Sequence, residues 1–320
     1  MIKTGTVKKK SGEPQNLKES SVSMVEESSR VLIVLPYLLP DATLQRITGQ
    51  TIPFLRKWQS QLDIVIIPKF KTSFQLDSAL GKMYSITRDV LLDYGMINTG
   101  INIIFNNSDF AKSGLEWKVV LLPHDSTFKT WKLELRDAQY HTIEHYSLHD
   151  KVMEEIIGPK DANKFHVTAL GGTFDHIHDG HKILLSVSTF ITSERLICGI
   201  TCDELLQNKK YKQLIEPYDT RCSHVRQFIK LLKPELSIEL VPLRDVCGPT
   251  GKVPEIECLV VSRETVCGAE TVNKTRTEKG MSPLEVHVVN VLGGREEDGW
   301  SEKLSSTEIR RLLQSSDSSS

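Results

Sequence analysis

From Arg30 onward, apolar residues alternate between short unbroken runs and stretches where they return every third or fourth position. The runs at 31–35, 64–67, 101–105 and 119–122 predict buried strands. Between them, residues 77–94 carry Leu80, Met83, Tyr84, Val90 and Leu91 at helical spacing. A helix near 152–157 and a junction at 158–161 close this first unit. The second half alternates again, with strands predicted at 165–170, 196–200, 237–243, 256–261 and 285–292. Helices are predicted at 182–190, 219–232, 269–279 and 307–313. Strands alternating with helices predict an α/β protein: a Rossmann-like, doubly wound parallel sheet over 163–314, preceded by a smaller α/β domain over 30–158. Residues 1–29 and 315–320 are too polar to bury a core and are expected to be disordered tails.

Composition narrows the partners. A formal net charge of −1 gives no bulk attraction for nucleic acid or anionic membrane, and neither is expected as a partner. No apolar run reaches the length of a membrane span, and the Lys-rich start lacks the apolar region of a secretory leader. The six cysteines (Cys198, Cys202, Cys222, Cys247, Cys258, Cys267) form no C-x-x-C pair and read as reduced thiols. A cytoplasmic location is expected, with Lys8, Lys9 and Lys10 a weak nuclear address.

The chemistry concentrates in two segments. The first, Gly171-Gly172-Thr173-Phe174-Asp175-His176-Ile177-His178-Asp179-Gly180-His181, follows a predicted strand and opens a predicted helix. Gly171 and Gly172 are expected to let the backbone turn and approach a ligand, and Gly180 leaves room for a nucleotide. The helix start is a natural phosphate site, over which His178 and His181 can donate to phosphate oxygens. The second, Lys303-Leu304-Ser305-Ser306-Thr307-Glu308-Ile309-Arg310, holds an S-x-x-E capping box and gathers hydroxyls and cations at one helix start. Such a cluster can hold the β- and γ-phosphates of ATP. Lys209 and Lys210 follow the second strand, where one can bridge the attacking and transferred phosphates. Arg263, Asn273 and Arg276 offer further phosphate or nucleotide contacts, and Arg221 is a weaker candidate.

Three rival patterns fail or lack support. His176-x-His178-x-x-His181 approaches a zinc-hydrolase ligand set, but Gly180 stands where that set needs its Asp. No resident metal site is therefore expected. His141-x-x-Glu144-His145 fits an inverzincin peptidase pattern, yet an exposed helix face explains it more simply. The segment 248–252 lacks P-loop spacing and reads as a Gly/Pro loop over the cleft.

The stretch from Thr168 to His181 resembles the eukaryotic and archaeal phosphopantetheine adenylyltransferases of the H-x-G-H nucleotidyltransferase superfamily. So do Val261-Ser262-Arg263-Glu264-Thr265, Asn273-x-x-Arg276 and the segment from Lys303 to Arg310. The likeness covers 163–314, and the chain as a whole looks like the fungal members. It implies transfer of AMP from ATP, with bound Mg²⁺, to 4′-phosphopantetheine, giving dephospho-CoA and pyrophosphate in coenzyme A biosynthesis. His178, His181 and Lys209 or Lys210 then carry the catalysis. Gly171, Gly172, Thr173, Phe174, Asp175, Gly180, Arg263, Glu264, Asn273, Arg276, Lys303, Ser305, Ser306, Thr307 and Arg310 line the substrates. A related transferase acting on nicotinamide mononucleotide is the alternative. With no P-loop in the chain, a separate dephospho-CoA kinase is expected for the next step. The first domain is read as a module that recruits such pathway enzymes.

Overall fold

The computed structural model describes residues 30–58, 61–123, 138–143, 160–290 and 304–317. It holds two five-stranded, wholly parallel sheets. The first contains β1 (Arg30–Leu35), β2 (Gln61–Ile66), β3 (Ile101–Phe105), β4 (Trp117–Pro123) and β5 (Gln139–Ile143), in the order β3-β2-β1-β4-β5. The second contains β6 (Phe165–Gly172), β7 (Thr192–Thr201), β8 (Ser237–Leu243), β9 (Cys258–Ser262) and β10 (Glu285–Val289), in the order β10-β9-β6-β7-β8. Counted from its own first strand, each sheet runs 3-2-1-4-5. Each therefore reverses its winding between its first and fourth strands, at β1/β4 and β6/β9. Open α/β sheets bind ligands outside the carboxyl ends of the strands at such a reversal.

Strands buried on both faces read as continuous apolar runs, and Val31 to Val34 are fully buried in β1. The helices are α1 (Asp41–Trp58), α2 (Ser73–Asp93), α3 (Asp179–Ile191), α4 (Tyr218–Leu232), α5 (Val266–Glu278) and α6 (Ser306–Asp317). α1 packs on α2, and α2 packs on α3 across the boundary between the units. One apolar cluster runs through both halves, with the Phe105 and Phe190 rings 6.4 Å apart.

Several elements differ from expectation. The first unit has five strands where four were expected. β5 carries His141, so this histidine lies on a strand and not on a helix face. Its ring leans on Phe54 at 4.5 Å. α2 begins at Ser73, ahead of its apolar stripe, because Thr72 Oγ1 accepts from Gln75 N (3.1 Å) and Asp161 Oδ1 accepts from Ser73 N (2.6 Å). α6 extends to Asp317, into the expected tail. The expectations for 1–29, 152–157, 158–159, 291–292 and 318–320 lie outside the described residues, as do Glu144, His145 and Lys303.

Candidate active site

β6 ends at Gly172, α3 begins at Asp179, and the turn between them is shaped by its side chains. Phe174 (φ 51°) and His176 (φ 43°) take the left-handed conformation, which costs a non-glycine residue free energy and must be held by its surroundings. Phe174 is fully buried, its ring 5.2 Å from that of His181. His176 N donates to Glu216 Oε2 (2.7 Å), and its Nε2 lies 2.8 Å from Leu214 O. A Cβ on Gly171 would stand 2.9 Å from Leu243 Cδ1, and one on Gly172 3.0 Å from the Phe174 ring. Both glycines make room for neighbouring side chains, and Phe174 is fully buried against them.

His178 is the N-cap of α3, and His181 stands in its first turn. Their ring centroids are 3.9 Å apart. Desolvation pushes His178 down to about 4, Asp179 opposing the shift, and lowers His181 well below the imidazole range with His178 adding to the effect. Both rings are therefore neutral near pH 7, each able to donate one N–H toward an anion at the helix start. Gly180, between them, is buried. His176 turns to Glu216 while the other two rings face each other, so the zinc-like set does not assemble. Among the described residues no cluster of three His, Cys, Asp or Glu can hold a metal ion.

The two signature segments meet at Asp175. This fully buried carboxylate accepts from Glu216 N (2.8 Å) and pairs with Arg310 Nη1, and its backbone carbonyl accepts from Ser306 Oγ (2.8 Å). Arg310, also buried, donates from Nε to Lys210 O (3.1 Å) and from Nη2 to Thr307 Oγ1 (3.2 Å). Asp175 and Arg310 thus join the site together from inside and do not offer their charges to a ligand. Ser305 Oγ accepts from Glu308 N (3.3 Å), but the Glu308 carboxylate turns to Arg311, so only half of the capping box forms. Thr173 is half-buried, and Lys209 and Lys210 lie exposed on the turn whose backbone Arg310 holds.

Across the sheet reversal, Arg263 and Glu264 are exposed just beyond β9. Arg276 and Asn273 are not with them. Arg276 is buried and its guanidinium donates to the carbonyls of Ser282, Thr250 and Val253 at 2.6, 2.7 and 3.0 Å, with Pro254 and Ile256 further off. Asn273 bridges the backbone N and O of Leu284. Their shared helix face points inward, and they secure loops. Residues 248–251 form a short 3-10 turn packed on Leu243 at the ends of β7 and β8.

The sequence reading undervalued Arg221 and passed over Glu216. Arg221 is fully buried and donates to Glu216 O, Thr173 O, Thr201 O and Asp203 Oδ1. It ties the signature turn to the end of β7. A lone Arg in the first turn of a helix was the only available signal.

Comparison with known proteins bears on this geometry. Residues 169–312 match the cytidylyltransferase-like family. Over 293 residues the chain is 87% identical to a phosphopantetheine adenylyltransferase of Saccharomyces cerevisiae, covering 92% of this chain and 96% of that one. It is 36% identical over 152 residues to a phosphopantetheine adenylyltransferase of Pyrobaculum aerophilum, covering 47% of this chain and 94% of that one. A solved structure from Archaeoglobus fulgidus, titled a protein with unknown function, aligns at 29% identity with a TM-score of 0.35, covering 39% of this chain and 90% of its own.

Proposed function

The chain belongs to the phosphopantetheine adenylyltransferases, and we propose that its chemistry takes place where the two signature segments meet. It transfers AMP from ATP to 4′-phosphopantetheine, yielding dephospho-CoA and pyrophosphate, a step of coenzyme A biosynthesis. Both named relatives carry that activity in their names, and nicotinamide mononucleotide as acceptor is not favoured.

The observation that carries the placement is the tie from Asp175 to Arg310 and Ser306. Through it, residues more than a hundred positions apart share one wall of the cleft. The acceptor phosphate is already ionised, so the reaction needs no general base. A phosphate oxygen attacks the α-phosphorus of ATP in line, and the bond to the pyrophosphate oxygen breaks. Catalysis is then alignment plus stabilisation of charge spreading onto the leaving group.

His178 and His181 donate N–H bonds to the triphosphate at the start of α3. Their neutrality suits this role, because a donor without net charge grips the product pyrophosphate less tightly than a cation. Ser305 and Thr307 hold its far end from the start of α6. Lys209 or Lys210 bridges the attacking and transferred phosphates, and Arg263 and Glu264 face the nucleotide from beyond β9. Gly171, Gly172, Phe174, Asp175 and Arg310 shape the walls. Mg²⁺ would arrive with ATP and would offset negative charge on its phosphates as the pyrophosphate leaves. The six free thiols suit a reducing compartment such as the cytoplasm.

The test is pyrophosphate release by His181→Ala with saturating ATP and phosphopantetheine. We expect turnover to fall by roughly two orders of magnitude. Near-normal dephospho-CoA formation would contradict the assignment.

A further inference from the structure

Resting on the assignment of His178 and His181 to the transfer, we propose that the first domain is a working part of the active site, with Arg88 as the positioning residue that fixes the helix carrying both imidazoles. The opening of α3 interleaves two sets of side chains. His178 and His181 belong to the site, whereas Asp179 and Lys182 are 3% and 6% exposed and are bonded by the first domain. Arg88 of α2 grips the Asp179 carboxylate through two bonds, Nε to Oδ2 at 2.7 Å and Nη2 to Oδ1 at 2.9 Å. The remaining nitrogen donates to Thr99 O at 2.8 Å and to Ile97 O at 3.3 Å, so the guanidinium plane is fixed on its own domain as well. Lys182 Nζ makes a second tie, to Ile101 O (2.6 Å) and Asn102 Oδ1 (2.9 Å). Asn102 is in turn bonded to Asp63, which also accepts from Trp117 Nε1 (2.8 Å).

Asp179 thus finds its counter-ion, and Lys182 its hydrogen-bond acceptors, in the other domain. The N-cap residue His178 adds no side-chain capping bond. The geometry converts a small slip into a large loss. Rotating a helix by about 10° carries a side-chain group about 5 Å from its axis through roughly 1 Å. A misplacement of that size can cost on the order of a hundredfold in rate. A bidentate Arg on a carboxylate resists this rotation, where a lysine's single point charge does not.

The experiment compares Arg88→Ala, Arg88→Lys, Ile143→Ala and His181→Ala in the full chain, following pyrophosphate release and melting temperature. Ile143→Ala trims a buried core side chain on β5, the sheet edge opposite the β3 residues that hold Lys182, and so reports general weakening of the first domain. We expect folded Arg88→Ala to lose kcat by about ten- to a hundredfold, with KM for ATP changed less than about threefold. Arg88→Lys should fall between it and the parent, and Ile143→Ala should keep its kcat while melting earlier. Added guanidinium should restore part of the Arg88→Ala rate, since the Arg88–Asp179 pair borders a cavity of about 660 Å³ between the domains. If Arg88→Ala does not accumulate as folded protein, Arg88→Lys carries the comparison. A kcat within about twofold of the parent in the folded Arg88 variant, or an equal loss in Ile143→Ala, overturns the proposal. If His181→Ala keeps full turnover, the imidazole assignment itself is wrong. If His181→Ala alone loses turnover, only the positioning role fails.

Discussion

The sheet of the first domain and the sheet of the second share strand number, direction and order, yet differ in where they place their polar groups. The second sets histidines, hydroxyls and cations around the turns beyond β6, β7 and β9. The first turns its polar groups inward. Asp63, Asn102 and Trp117 form a buried network in which Asn102 meets α3. An architecture supplies places, and the side chains at those places decide the work. Here one copy holds the chemistry, while its twin supplies the brace behind it.

This contrast can be broken by substitution, beginning with the strongest tie. Arg310→Ala leaves the Asp175 carboxylate buried and unpaired, and we expect it to cost about 3–5 kcal/mol of stability in denaturant titration, with turnover lost too. A stability matching the parent would mean the signature segments are not joined as described. Arg276→Leu should cost about 3 kcal/mol through the carbonyls it abandons, while KM for ATP in the folded variant stays near that of the parent. A large rise in that KM would return Arg276 to the nucleotide side.

Gly199→Ala sets a Cβ 2.6 Å from the Leu243 side chain, and overpacking of this kind should cost about 2–3 kcal/mol by thermal unfolding. The pH dependence follows from His178, lowered by burial to about 4. The unfolded chain takes up its proton near pH 6.5 and the folded chain does not, so stability falls as pH drops below 6.5 and levels off below about 4. Between pH 7 and 5 this amounts to about 2 kcal/mol, and His178→Gln should remove that part of the slope. An unaltered slope would place the imidazole in water. The smallest effect has the opposite sign and belongs to the first domain. A Cβ on Gly49, inside α1, meets nothing within 4 Å, so Gly49→Ala should stabilise by about 0.5–1 kcal/mol.

What could be read from sequence followed the size of each signal. Buried parallel strands announce themselves as unbroken apolar runs, which is why β1, β4 and β9 stood out. β5, with the sequence Gln139-Tyr140-His141-Thr142-Ile143, is an edge strand with polar positions and left no such trace. The start of α3 was hidden because His178-Asp179-Gly180-His181 has the composition of a loop. The two signature segments were legible as residue patterns. Their joining through Asp175 and Arg310 was not, since an ion pair 135 positions apart has no local signature. Asn273 and Arg276 share a helix face by their i, i+3 spacing, but spacing alone does not say that this face is inward. The same blindness hid Arg88, whose partner lies 91 positions away.

The cap that Asp161 places on Ser73, 88 residues upstream, has a consequence for biogenesis. As the polypeptide leaves the ribosome, α2 emerges with its first amide uncapped and Arg88 without a counter-ion, and both wait for sequence not yet translated. The leading half therefore completes itself only as the trailing half arrives, and the two should melt in one cooperative transition. Two well-separated calorimetric peaks would show instead that each half matures alone.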